Sequence, residues 1–445
     1  MNLRSKSRRI LLLMGDIIAL YLGLFATLII RYGNDFYGRF IDLHFLPFTF
    51  IFAVWIVIFY IAGLYDIQRL RNNLDFFKIF GLTLSVNAIF AILFFYLIPV
   101  FGITPKTNLF IFIAVFATIE LYWRHFWNQT LARGAAPNRV LVVGNGNTVG
   151  TILKAIAENP QFGYEVKARL PEEELRASPK RLYDLAIETH ANIVIVPRKL
   201  KHDERLNKAL YDLLAQGVEV RDIINFYELL MRRVPVADLE EGWFLDNLIN
   251  QQKFYDPLKR AWEFLAALLL GIALLPLELI IAILIKITSK GPVIYKQLRI
   301  GKNGRHFMLY KFRTMYEFAE KRGPQWADPN DLRATPLGKI LRYAHLDELP
   351  QLLNIIRNEI AFVGPRPERP EFVEMLKEKI PYYEIRHLIK PGVTGWAQIN
   401  YRYGASVEDS YEKLQFDIYY LKNRSLFLDV AIILKTLKTF FVNQR

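Results

Sequence analysis

Four apolar runs open the chain, at Ile10–Ile30, Leu46–Leu64, Phe80–Val100 and Leu109–Phe126. Each approaches the roughly 20 residues that a spanning helix requires, so the pattern predicts a four-helix membrane bundle over residues 1–130. The pattern then changes. From about Asn138 to Val236, Arg139–Val143, Asn192–Val196 and Val218–Asp222 read as strands, and Thr151–Glu158, Pro179–Glu188 and Asp203–Gln216 as helices. That alternation implies a small parallel α/β sheet, a Rossmann-like domain over 138–236. A linker is expected at 237–254 and a third, α-rich domain at 255–445.

The third domain begins with another apolar run, Phe264–Ile287, long enough to span. Pro276 falls midway along it, where a missing N–H breaks the helix ladder. Lys253, Lys259 and Arg260 precede the run and Lys286, Lys290 and Lys296 follow it. Basic flanks on both sides favour one face of the membrane, so a bent, re-entrant hairpin over 264–287 is expected in place of a fifth span.

Composition sharpens this picture. Hydrophobic residues make up 53% of the 445 residues and the net charge is +14. An apolar, basic chain favours an anionic lipid surface and nucleotide phosphates as partners, and not nucleic acid. There is no cysteine, which excludes disulfides, zinc-thiolate sites and thiol catalysis. The basic start (Arg4, Lys6, Arg8, Arg9) precedes a run without a cleavage site, which reads as an anchor. With the basic loop at Arg69, Arg71 and Lys78 and the exit at Arg124, Arg133 and Arg139, both ends of the bundle face the cytoplasm. The loops Arg31–His44 and Phe101–Asn108 are less basic. Asp16 and Glu120 lie within the runs, and pairing inside the bundle is their expected fate.

Two glycine- and charge-bearing stretches carry candidate chemistry. The first strand of the α/β domain ends in Gly144-Asn145-Gly146-Asn147-Thr148-Val149-Gly150, a GxGxxxG turn. A nucleotide-binding turn and a tight strand-to-helix turn both fit it, and no acidic residue is evident at the end of a second strand to hold a ribose. The second stretch, Leu341–Pro367, reads LRYAHLDELPQLLNIIRNEIAFVGPRP. Asp347 and Glu348 stand at the expected start of a helix, with Pro350 in its first turn, Arg342 before them and Pro365-Arg366-Pro367 after. An acidic pair there commonly caps a helix. Beside fixed arginines it also suits phosphate chemistry with a divalent metal.

Two further segments suit a headgroup layer. Between Tyr295 and Arg313, Gln297 and basic residues (Arg299, Lys302, Arg305, Lys311, Arg313) interleave with Tyr295, Phe307, Tyr310 and Phe312, a pattern for anion binding. Leu426–Phe441 is apolar with Lys435 and Lys438 along it, and reads as an amphipathic helix at an interface or packed on its own domain.

The segments YKQLRIGKNGRHFMLYKFRTM (Tyr295–Met315), LDELPQLLNIIRNEIAFVGPRP (Leu346–Pro367) and KPGVTGWAQIN (Lys390–Asn400) resemble the bacterial sugar transferases, the polyprenyl-phosphate hexose-1-phosphate transferases. The resemblance runs from about Tyr255 to the C-terminus. The layout resembles the long members, with four membrane helices and a cytoplasmic Rossmann-like domain ahead of a re-entrant phosphoglycosyl transferase domain. It implies a multi-pass protein of the bacterial inner membrane, with the catalytic part on the cytoplasmic face and the helix break at Leu275-Pro276.

It also implies transfer of hexose-1-phosphate from a UDP-sugar to undecaprenyl phosphate, with release of UMP, to begin exopolysaccharide, O-antigen or capsule synthesis. By resemblance Asp347 is the nucleophile that carries a phospho-sugar, and Glu348, with Asp347, holds Mg²⁺. Arg342, Arg366 and Pro367 belong to the phosphate-binding part, while Lys311, Gln398 and Asp417 match family positions of less defined role. The sugar and association with further copies of the chain stay open. A non-catalytic scaffold would lack these residues. A nucleotide-sugar dehydratase would need a second dinucleotide fingerprint, which the sequence lacks.

Overall fold

The computed structural model describes residues 3–65, 72–97, 107–133, 137–248, 255–317, 333–401, 404 and 406–442. Of the basic flanks read from the sequence, Arg69, Arg71 and Lys253 lie outside them, as does most of the expected loop at 101–108. Two units can be separated, Met1–Leu230 and Met231–Arg445.

The first unit begins with helices at Leu3–Tyr32, Phe45–Ala62, Leu74–Leu97 and Thr107–Arg133. Short helical turns over residues 33–44 join the first two, so Ile10–Ala62 forms one apolar helical stretch. The chain nevertheless doubles back, because Tyr21 and Thr49 hydrogen-bond through their hydroxyls at 2.9 Å. Phe76–Tyr96 and Asn108–Gln129 are also long and apolar enough to cross a membrane. Aromatic rings knit these helices: Phe48 meets Phe112 edge-on at 5.5 Å, and Phe112 stacks on Phe116 at 5.7 Å. Asp16 and Glu120 are fully buried and share Arg124, which also donates to the Leu64 carbonyl at 2.7 Å. The two carboxylates are thus paired inside the bundle, as expected.

The rest of this unit is a parallel sheet of β1 (Asn138–Val143), β2 (Tyr164–Leu170), β3 (Ile193–Val196) and β4 (Glu219–Asp222), ordered β2-β1-β3-β4. β1, β3 and β4 match the expected strands. β2 does not stand out in the sequence because it is an edge strand, alternating Glu165, Lys167 and Arg169 with smaller apolar residues. Gly144 takes a φ of +114°, left-handed backbone that glycine adopts without strain, and Asn147–Glu158 starts after Gly146. The added strand also changes the reading of that turn. Glu172 follows β2, and its carboxylate approaches Gly144 while pairing with Lys199 at 2.9 Å.

In the second unit the expected linker carries a helix, Glu241–Leu248, with Trp243 and Phe244 buried. Its remainder, 249–254, lies outside the described residues. The long helix Tyr255–Thr288 runs unbroken through Pro276, so the expected interruption is corrected to a proline within a continuous helix. The loss of one N–H kinks a helix without ending it when both arms are held elsewhere. Both arms are held. Ala267 clusters with Phe307 and Leu309, and Ile281 and Ile285 with Phe312. No residue between 268 and 280 is buried.

β5 (Ile294–Ile300) and β6 (His306–Phe312) form an antiparallel hairpin, and β7 (Ala361–Val363) pairs in parallel with β8 (Gly392–Thr394). Helices Pro336–Tyr343, Gln351–Ile356, Pro370–Lys379 and Val407–Asn423 surround them. The last starts in a capping box between Ser406 and Asp409. The C-terminal helix Leu426–Val442 packs on its own domain through buried Asp429 and Ile432, and leaves Phe427 outside.

Candidate active site

Asp347 and Glu348 lie in a 3-10 turn, Leu346–Glu348, and not at the head of a long helix. Pro350 caps the six-residue helix Gln351–Ile356 that follows, too short for its dipole to dominate the site. The turn is entered through His345, whose φ of 51° puts a non-glycine residue in the left-handed region. Side-chain cations, not a helix end, therefore set the electrostatics.

Two of them converge on Glu348. Lys311, on β6, donates from Nζ to Glu348 Oε1 at 2.6 Å, and Arg366 Nη2 lies 3.2 Å from the same oxygen. Burial alone would raise the Glu348 carboxyl, but Lys311 and Arg366 outweigh it and hold the group well below the usual carboxylate range. Glu348 is a fixed anion. Burial pushes Asp347 the other way; Lys311 and Arg342 oppose that, Glu348 adds to it, and the carboxyl ends above its ordinary value. Asp347 is buried yet accepts no hydrogen bond and joins no ion pair among the described residues. Its oxygens are free for a substrate.

Arg342 comes from the helix Pro336–Tyr343, whose N-terminus Thr335 caps by accepting from the Gly338 N–H. A side chain at Gly338 would collide with the Thr314 carbonyl at 2.0 Å, so glycine lets this helix lie on the strand end. Arg342 Nε then donates to Thr314 Oγ1 at 2.9 Å. On the other side, Gly364 and Gly392 touch backbone to backbone, which seats the Pro365-Arg366-Pro367 turn against the Lys390–Thr394 segment. The Pro367 carbonyl accepts from Arg299 Nη1 at 2.9 Å.

The structure thus brings together Asp347, Glu348, Lys311 and Arg366, with Arg342 acting on Asp347 through its charge. Gln398 and Asp417 touch neither carboxylate. Gln398 donates to the Val393 carbonyl at 3.1 Å. Asp417 is buried against Arg386, a residue the sequence reading passed over, at 2.9 Å. Lys259, read as a flanking charge, is buried and bonds to Asp429, Tyr420 and the Val363 carbonyl. A charge pattern in sequence does not distinguish a solvated lysine from an anchored one.

Among the described residues no three acidic or histidine side chains form a metal cluster. The residues present still fit Mg²⁺, which is often held by one or two carboxylates and completed by water and substrate phosphate. Asp347 has uncommitted oxygens, and Glu348 stays ionised.

A model of the family described as bacterial sugar transferase matches residues 254–443. The UDP-glucose:undecaprenyl-phosphate glucose-1-phosphate transferase of Xanthomonas campestris pv. campestris is 30% identical, over 70% of this chain and 68% of that protein. The chain belongs to the bacterial sugar transferase family. Membership makes it a phosphoglycosyl transferase. A UDP-glucose:undecaprenyl-phosphate glucose-1-phosphate transferase of Klebsiella pneumoniae is 28% identical over 96% of this chain and 94% of its own. A UDP-N-acetylgalactosamine-undecaprenyl-phosphate N-acetylgalactosaminephosphotransferase of Aeromonas hydrophila is 40% identical over 50% of this chain, and the match spans about half, 52%, of that protein.

Proposed function

We propose that this transferase moves a hexose-1-phosphate from a UDP-sugar to undecaprenyl phosphate in two displacements at Asp347. The observation that carries the reading is the free, buried carboxylate of Asp347 beside a glutamate already neutralised by Lys311 and Arg366. An Asp347 oxygen attacks the phosphorus that bears the sugar, the bond from that phosphorus to the UMP oxygen breaks, and UMP leaves. A phosphate oxygen of the lipid then attacks the same phosphorus and displaces the carboxylate, giving a polyprenyl-diphosphate sugar.

The cations counter the charge that gathers when two polyanions meet. Arg366, about half exposed, has reach toward an incoming phosphate, while Lys311 keeps Glu348 anionic and lowers the Asp347 carboxyl. Asp347 and Glu348 would hold Mg²⁺, which supplies Lewis-acid polarisation of phosphate oxygens when bound.

The reading puts the site on the cytoplasmic face of the bacterial inner membrane, where nucleotide-sugars are made. It treats the bare stretch 268–280 of the long helix as a re-entrant apex, since both arms pack on the catalytic unit. The GxGxxxG turn is assigned no ligand, because Arg169 and Lys199 already engage its neighbours Asn145 and Glu172.

Purified protein in nanodiscs with undecaprenyl phosphate, Mg²⁺ and a panel of UDP-glucose, UDP-galactose, UDP-N-acetylglucosamine and UDP-N-acetylgalactosamine should release UMP with at least one donor. Without the lipid, release should stop near one UMP per active site; continued turnover in its absence, or no release with any donor, contradicts the reading. In a chain without native cysteine, single cysteines at exposed positions Arg260 and Lys290 should both react with an impermeant thiol reagent only from the cytoplasmic side. Labelling of one from outside would make the segment a span.

A further inference from the structure

Arg386 lies in the short helical segment Tyr383–Leu388, outside every motif the sequence singles out, and only 5% of it is exposed. Its guanidinium is spent in three directions. Nε and Nη2 meet Asp417 Oδ2 at 3.1 and 2.9 Å. Nη1 donates to the Tyr383 hydroxyl at 2.8 Å, and Nη2 to the backbone carbonyl of Arg366 at 3.0 Å. Arg366 in turn reaches Glu348 in the active site.

We infer that Arg386 is a positioning residue for the transfer reaction: fixed by Asp417, it holds the Arg366 carbonyl and so aims the Arg366 side chain at Glu348 and the substrate phosphate. This rests on the proposed function for what Arg366 meets, and adds the connection that gives Asp417 its role. A buried ion pair is easily replaced by apolar packing of equal volume and is weak evidence of stabilisation. Here the pair has an outlet, a charge-assisted bond to the one carbonyl between two prolines, Pro365 and Pro367. Pro365 and Pro367 have no N–H, so the turn is held through its carbonyls: Pro365 by the Gly392 N–H, Pro367 by Arg299, and that of Arg366 itself by Arg386.

The arrangement makes a specific demand on non-additivity. If Arg386 acts through Arg366, its loss matters only while the Arg366 side chain is present. Arg386→Lys keeps a charge for Asp417 and gives up the fork, and Asp417→Asn keeps the size and gives up the ion pair. On the full-length protein each should lower kcat/KM for UMP release by about tenfold to a hundredfold, with most of the change in kcat. On an Arg366→Ala background the same changes should cost less than about threefold more.

The cycle is also read on UDP affinity by thermophoresis, which needs no turnover, and thermal melting of each variant verifies the fold. Losses that multiply on the Arg366→Ala background, in either readout, would make Arg386 a general structural residue and overturn the proposal. Wild-type protein that turns over no donor but binds UDP sinks the proposed function alone, and the cycle on affinity still decides the role of Arg386. Failure to bind UDP as well removes both.

Discussion

Two clusters of arginine and carboxylate in this chain look alike on paper and behave differently. In the bundle, Asp16, Glu120 and Arg124 are all fully buried, and Arg124 divides its donors among both carboxylates and the Leu64 carbonyl, with Phe59 and Tyr65 rings against its face. In the catalytic unit, Lys311 and Arg366 both meet Glu348, Asp347 beside it accepts no hydrogen bond and joins no ion pair among the described residues, and Arg366 is about half exposed. The first cluster is closed: Arg124 reaches both carboxylates, and with all three side chains fully buried no face is left for a ligand. The second is open, with one carboxylate anchored and the other held ready. Burial of charge does not by itself signal function; an uncommitted carboxylate beside cations that a ligand can reach points to it.

The largest effect should follow from breaking the open cluster at its free member. Asp347→Asn removes the proposed nucleophile and should lower turnover by about a thousandfold or more, with donor affinity changed far less. Near-normal UMP release would remove Asp347 from the chemistry. Next in size is the anchored member. Glu348→Gln should cost about a hundredfold and blunt the response to Mg²⁺, and excess chelator should abolish wild-type activity until Mg²⁺ is restored. Full activity in chelator would show that the pair works without a metal.

The closed cluster should respond in stability and not in chemistry. Arg124→Leu strands two buried carboxylates and should destabilise the bundle by about 3–5 kcal/mol, seen as a lower melting temperature, while the folded protein keeps its specific activity. A loss of activity without a change in melting would give the bundle cluster a functional role. The smallest effect is a shift of pH dependence. Asp347 must be ionised to attack, and its raised carboxyl means activity should fall with acid at a pH above the ordinary aspartate value of about 4. Lys311 favours the anion, so Lys311→Met should move that acid limb to still higher pH; a shift downward would reverse the assigned electrostatics.

Much of this was legible in the sequence where the signal is local. Apolar length marked the four bundle helices, and turn residues around short apolar runs marked β1, β3 and β4. The carboxylate pair, Arg342, Lys311 and Arg366 stood in dense, ordered motifs. What escaped depends on tertiary surroundings. β2 is polar on its outer positions because it lies at a sheet edge, and Glu241–Leu248 is too short to announce itself, with only Trp243 and Phe244 as anchors. Pro276 reads as a stop because propensity knows nothing of the two arms held by β6. Arg386 and Lys259 are single charges whose partners, Asp417 and Asp429, are 31 and 170 residues away. No spacing rule reaches that far.

The most direct test of the account is to look for the bond it requires. The protein is incubated with a UDP-sugar that it turns over and Mg²⁺, without lipid acceptor, then quenched and digested for mass spectrometry. The account predicts a hexose-phosphate adduct on Asp347, formed with about one UMP per active site, lost on adding undecaprenyl phosphate and absent from Asp347→Asn. An unmodified Asp347 in protein that turns over normally once the lipid is supplied, or an adduct on another residue, would contradict it.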